Sequence, residues 1–217
     1  MAKFNYPTIT TPRGVLIYPH LTEADTKFVK PDGEYHTKFA LPADSDEAAA
    51  LIEKLEGILE EYIEANVDDL TPAKLKARMK KATRADLYEE EVDDEGEETG
   101  RLIFKFKLKA VVKTKTKQWD QKPRLFDGKL NPIEEGVNPW TGSEGKISAE
   151  VFPYYMETTK SFGLSLRCNA VQILKLVSGQ GKSAKDLGFE AEDDSYESNA
   201  SAAGFEPEAG DEDGEEF

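Results

Sequence analysis

Apolar residues fall on alternate positions over much of this chain, most plainly from Leu102 to Lys117. Even positions carry Leu102, Phe104, Phe106, Leu108, Ala110 and Val112, and odd positions carry Lys105, Lys107, Lys109, Lys113, Lys115 and Lys117. A period of two predicts a strand with one face on a core and the other presenting lysines. Trp119 continues the odd parity if the strand runs that far. Other segments read the same way. Gly14–Tyr18 is short, apolar and β-branched. Tyr35–Leu41 sets Tyr35, Thr37, Phe39 and Leu41 on one face, after a Pro31-Asp32-Gly33 turn. Lys146–Tyr155 sets Ile147, Ala149 and Val151 against Lys146, Ser148, Glu150, Phe152 and Tyr154, with Pro153 marking an edge or a bulge. Leu164–Leu176 is apolar at even positions, Cys168 among them, with Arg167 on the odd face.

The period changes in the first third of the chain. Leu51, Ile52, Leu55, Ile58, Leu59, Tyr62 and Ile63 recur at three and four residues, the stripe of an amphipathic helix, and Asp44 with Glu47 has capping-box spacing. Thr71-Pro72 opens a second, basic helix running to about Ala82. Residues 1–10 read as a polar mobile arm and Asp86–Gly100 as an acidic surface loop. Residues 121–145 read as a Pro-, Gly- and Asn-rich stretch with at most a short strand at Arg124–Phe126 and with Trp140 in a loop. Five strand signals with helical material before the third predict a mainly β fold with inserted helices, a five-stranded OB-fold barrel. The expected layout is a domain over 1–180, with a helical insertion at about 44–82 and the acidic loop at about 86–100. A disordered acidic C-terminal tail over 181–217 follows.

Charge changes this picture because it comes in blocks. The formal net charge is −15. Asp186–Phe217 holds thirteen acids and no Lys or Arg, and Asp86–Glu98 holds nine acids and no base. Between Arg101 and Lys185 there are sixteen basic residues and seven acidic ones, a net of +9. The average therefore hides a basic body with acidic appendages. Lysines at odd positions repeat about every 6.6–6.8 Å along a strand, a step that suits successive phosphates of an extended polynucleotide. Exposed aromatics would supply the flat apolar partner that bases need. Trp119 and Trp140 are candidates.

Other chemistry is poorly represented. Cys168 is the single cysteine, which rules out an intramolecular disulfide and reads as a core residue. With two histidines and one cysteine, no zinc site is expected, and no other metal or cofactor. No nucleophile–base pair, Gly-rich phosphate loop or ordered carboxylate constellation suggests an enzyme. No apolar run reaches the length of a membrane span, and a soluble intracellular protein is expected.

The chain resembles the single-stranded DNA-binding proteins of podovirus-type tailed phages. The resemblance rests on Met1-Ala2-Lys3, on Tyr35–Pro42 ahead of an acid-rich helix, and on Phe104-Lys105-Phe106-Lys107. It continues with Gly145-Lys146 leading into Val151-Phe152-Pro153-Tyr154, a long apolar final strand, and an acidic tail closing on Phe217. It implies an OB-fold that coats single-stranded DNA during phage replication and recombination and promotes strand annealing, in the cytoplasm of the infected bacterial host. By position, Lys105, Lys107, Lys146 and Tyr154 match DNA-contacting residues, and Lys3 matches a basic N-terminal arm. Phe217 matches a terminal aromatic that contacts partners, the phage DNA polymerase and helicase-primase.

The mechanism expected from these features has lysines (Lys3, Lys105, Lys107, Lys109 and Lys146) neutralising phosphates and aromatics, Tyr154 first and then Trp119 or Trp140, stacking bases. The tail competes for the same groove, and Phe217 with its flanking acids Asp213, Glu215 and Glu216 engages a partner when DNA displaces it. A homodimer with the tail of one chain in the groove of another also fits this charge pattern. The rival reading is an acidic interaction module or DNA mimic that binds no DNA, which leaves the lysine face unexplained.

Overall fold

In chain order the elements are β1 (Thr8–Thr10), β2 (Gly14–Asp25), β3 (Glu34–Pro42), α1 (Asp46–Asp68), β4 (Thr83–Arg84) and β5 (Glu89–Val92). They continue with β6 (Glu98–Lys109), β7 (Val111–Lys113), β8 (Gln118–Asp120), β9 (Arg124–Phe126), β10 (Glu144–Met156) and β11 (Ser161–Lys175). The computed structural model describes residues 6–27, 29–68, 73, 77, 80–133 and 136–178. These lie in the unit formed by residues 1–179.

The five long strands close on themselves. β2 pairs antiparallel with β3, β3 with β6, β10 with β11, and β10 with the start of β2, while β6 and β11 run parallel at Phe106–Lys107. This is the five-stranded OB-type barrel that the alternation predicts, and closure removes most free sheet edges. Its interior is filled by Leu16, Phe39, Phe104, Phe106, Ile147, Ala149, Val151, Leu166 and Cys168. Phe39 and Phe106 meet edge to face, with ring centroids 5.9 Å apart.

Helix α1 starts one residue later than its capping pattern suggests. Ser45, not Asp44, is the cap: its Oγ accepts the Ala48 N–H at 3.2 Å, and Asp46 and Glu47 then complement the helix dipole in the first turn. Leu51, Leu55 and Ile58 of the apolar stripe join the barrel core, and Leu59 packs with Phe162, Tyr62 and Ile63. The helix is thereby fixed on the barrel by burial worth about 1.5–3 kcal/mol per large side chain. The second expected helix falls mostly outside the described residues. Ala73 and Ala77 are helical, and Lys80 and Lys81 already lie in a turn.

Three expectations need correction. Residues 8–10 are strand rather than mobile arm: β1 pairs with Ser148–Glu150 of β10, and Ile9 is buried. The acidic run is not simply a loop. Its Glu89–Val92 segment is β5, paired with β6 around the Asp93–Glu97 turn, because Arg101 and Lys105 on β6 neutralise Glu91 and Glu89. The even parity of the last strand breaks at Asn169. Ala170 faces Ser148 while Cys168 faces Ala149, so a bulge moves burial to Val171 and Ile173. The Pro153 reading fits. The strand pairing of β1 with β10 ends at Glu150, so among the described residues no second strand pairs with β10 at Pro153.

Candidate nucleic-acid interface

Residues directly opposite on paired strands share a face, so the register places the outward side chains. Lys38 of β3 lies opposite Lys105 of β6, His36 opposite Lys107, and Glu34 opposite Lys109. Across the parallel seam Lys107 lies opposite Arg167, and Arg167 opposite Glu150 of β10. Lys38, Lys105, Lys107 and Arg167 thus form a cationic patch over three adjoining strands. With strands about 4.8 Å apart and same-face side chains about 6.7 Å apart, the patch matches a polyanion with closely spaced charges.

A groove of about 810 Å³ runs over this patch, lined by His36, Lys38, Lys105, Lys107, Tyr154, Met156 and Ser165, with Asp86–Glu89 forming one wall. Tyr154 lies across Gly163, its partner in the β10–β11 register: a β-carbon at Gly163 would stand 2.5 Å from the Tyr154 hydroxyl. Beside it on the outward face, Phe152 stacks on Tyr6 with centroids 4.1 Å apart, and the Arg167 guanidinium sits 3.7 Å from the Phe152 ring centre. The cation is held by an aromatic in addition to its long contact with Glu150 at 3.5 Å.

Two smaller depressions continue the groove. One, of about 510 Å³, shares Lys38, Glu89 and Ile103 with it. Another, of about 310 Å³, shares Tyr18 and Thr141 with the second and is lined by Trp140. The acidic strand β5 flanks the middle of this path. Glu89 pairs with Lys105. Glu91 binds Arg101 at 2.6 Å and accepts the Thr99 hydroxyl, and these contacts, Thr99 foremost, hold its carboxyl below the usual range. Among the described residues Lys38 and Lys107 make no ion pair.

Residues 9–176 match the family model described as single-stranded DNA-binding protein, bacteriophage T7. The chain belongs to this phage family. Its fold is similar to that of gp2.5, a single-stranded DNA-binding protein encoded by bacteriophage T7. The two agree at TM-score 0.63 and 19% identity, over 89% of this chain and 100% of that one. The single-stranded DNA-binding protein of bacteriophage Enc34, solved in complex with single-stranded DNA, agrees at TM-score 0.52 and 12% identity, over 80% of this chain and 89% of that one. Among curated protein sequences none matches.

In this member of the T7 single-stranded DNA-binding protein family, Lys105, Lys107 and Tyr154 come together in the groove. Lys109 is exposed at the end of β6, outside the groove lining. Trp119 does not extend the lysine face. β6 stops at Lys109, and Trp119 lies on β8, opposite Val112 in a separate β7–β8 hairpin. Trp140 is exposed, beside Tyr18 rather than lidding the core. Lys146 is on the outward face of β10 but eight positions from Tyr154, about 26 Å of strand at 3.2–3.4 Å per residue. Lys3, Asp213, Glu215, Glu216 and Phe217 lie outside the described residues. Lys38, Tyr18 and Arg167 join the site without having been singled out for it. Strand parity was the available signal for Lys38 and Arg167. Tyr18, with φ of 48°, gave none.

Proposed function

We propose that this chain binds single-stranded DNA without strong sequence preference, coating it during phage DNA replication and recombination and promoting strand annealing. The observation that carries this reading is the groove in which Lys38, Lys105, Lys107 and Tyr154 line one face of an OB-type barrel. A strand entering over Tyr154 would cross β11, β6 and β3 toward Tyr18 and Trp140, with lysines taking phosphates and aromatics taking bases. Each stacked base contributes about 1–3 kcal/mol with little regard to its identity. Lys3, Lys109 and Lys146 extend the cationic field, and Trp119 offers a second stacking surface.

The acidic segment 181–217 acts in this proposal as a tethered competitor for the groove, at an effective concentration that can reach the millimolar range. When DNA displaces it, Phe217 with Asp213, Glu215 and Glu216 recruits the phage polymerase and helicase-primase. Exchange of the segment between chains would give a homodimer. The site of action is the cytoplasm of the infected host.

The deciding experiment is a salt titration of binding to labelled oligo-dT with duplex DNA as control. Tight, strand-selective binding that weakens steeply with salt is the expected result. Absence of binding at low salt, with and without residues 190–217, would leave an acidic interaction module as the better account.

A further inference from the structure

The chain has two histidines, and they are cross-strand neighbours. His20 of β2 lies opposite His36 of β3, with ring centroids 4.7 Å apart. β2 is irregular on both sides of His20, and the second irregularity returns Asp25 toward the same spot. Asp25 Oδ2 stands 3.3 Å from His36 Nε2, and one donor atom from each of His20, Asp25 and His36 lies within 4.8 Å of the other two.

We propose that His20, Asp25 and His36 form a site for a borderline divalent cation such as Zn²⁺. Two imidazoles and a carboxylate are a ligand set suited to Zn²⁺ and its first-row neighbours, and they leave a fourth position for water or a phosphate oxygen. Ligands about 2.0–2.2 Å from a tetrahedral ion lie roughly 3.3–3.6 Å from one another. The Asp25–His36 pair already has that separation. His20 is the exposed member, so rotation of its ring closes the remaining distance.

The surrounding structure prepares the carboxylate. Asp25 Oδ1 accepts the Lys27 backbone N–H at 2.7 Å, which orients the group and leaves Oδ2 toward the histidines. The site also has a place in the molecule: His36 lines the large groove, and His20 lines the depression beside Trp140. Counting residue types misses it, because two histidines look too few until the register brings an aspartate to them.

The test uses the full chain, stripped with chelator and titrated with Co²⁺ followed by Zn²⁺. The proposal expects visible d–d absorption saturating at one equivalent, bleached by Zn²⁺. It also expects one equivalent of Zn²⁺ to shift the imidazole NMR signals of both histidines. His20→Ala and His36→Ala should each abolish the absorption, and Asp25→Asn should weaken binding at least about tenfold, the range for a disturbed ligand shell. Uptake by tail carboxylates alone would leave the histidine signals unmoved in the unaltered protein. That result, or Co²⁺ spectra unchanged in the variants, overturns the proposal without bearing on DNA binding.

Discussion

Glu89 on β5 holds the ammonium of Lys105 on β6 at the edge of the groove, so a cation of the proposed DNA surface is already paired with the protein's own acid. Both side chains are more than half exposed, and such a pair contributes only about 0.2–1 kcal/mol to stability. DNA must displace it to use Lys105. Glu89→Gln should therefore leave the unfolding midpoint nearly unchanged while tightening oligo-dT binding roughly two- to fivefold at low salt, with the gain fading as salt screens it. Equal affinities across a salt series would show that Glu89 does not compete.

Lys107 differs from Lys105 in having no acid partner among the described residues. Truncating it should weaken binding and lower the slope of log affinity against log salt by about 0.7, the value for one phosphate contact on a single strand. Lys105→Ala should change the slope less, because part of its charge is already neutralised. The comparison needs three salt titrations, of the parent and of each variant. Identical slopes for Lys107→Ala and the parent would remove Lys107 from the interface.

Tyr154 needs Gly163 beneath it. A methyl group there would stand 2.5 Å from the hydroxyl and 2.6 Å from the ring carbon that bears it, and would push the side chain aside. Gly163→Ala should fold, since a side-chain end can move, yet lose oligo-dT affinity nearly as Tyr154→Ala does, by roughly 1–3 kcal/mol. Normal affinity in Gly163→Ala with a displaced tyrosine would show that the stacking ring lies elsewhere.

The barrel strands were legible because period-two burial is a local property that each strand carries in its own residues. A closed barrel followed from the number of strands, but the seam that closes it did not, since the parallel β6–β11 pairing joins segments some sixty residues apart and leaves no periodic trace. β5 was hidden because four acid-rich residues read as solvated until Arg101 and Lys105 are known to lie beside them. Trp119 kept parity with the lysines by arithmetic alone, and the β7–β8 hairpin cancels that relation. Lys105, Lys107 and Tyr154 were legible as outward side chains because period two assigns each strand residue to a face, and the choice of Tyr154 rested on the family resemblance; that one groove holds all three is visible only in the fold. Lys38 and Arg167 were overlooked because one cation on a strand means little until the register sets it beside others.

Deleting residues 190–217 removes twelve acids and the Phe217 side chain. The competition proposal expects tighter oligo-dT binding at low salt and convergence with the full chain at high salt. Phe217→Ala separates the two roles of the segment, because it should keep DNA affinity while losing capture of the phage polymerase. Unchanged or weaker DNA binding after the deletion would end the competition idea, and intact polymerase capture by Phe217→Ala would end the anchor role.

Cys168 faces the barrel interior between Leu166 and the bulge, and burial pushes its thiol up to about 12. The unfolded thiol ionises near 8.5, so above that pH the unfolded chain releases a proton that the native chain keeps. The sign follows directly: the raised native value makes this group's contribution fall as pH rises from about 8.5 toward 12, by up to about 1.4 kcal/mol per unit. Cys168→Ala removes the linkage at the cost of a small cavity. Its stability deficit, measured by urea unfolding, should therefore shrink between pH 8 and pH 9.5. In the same range the native parent should resist iodoacetamide while the unfolded chain is alkylated. Rapid labelling of the native protein at pH 8 would mean that the barrel opens at this position, and the pH-dependent convergence would then be absent.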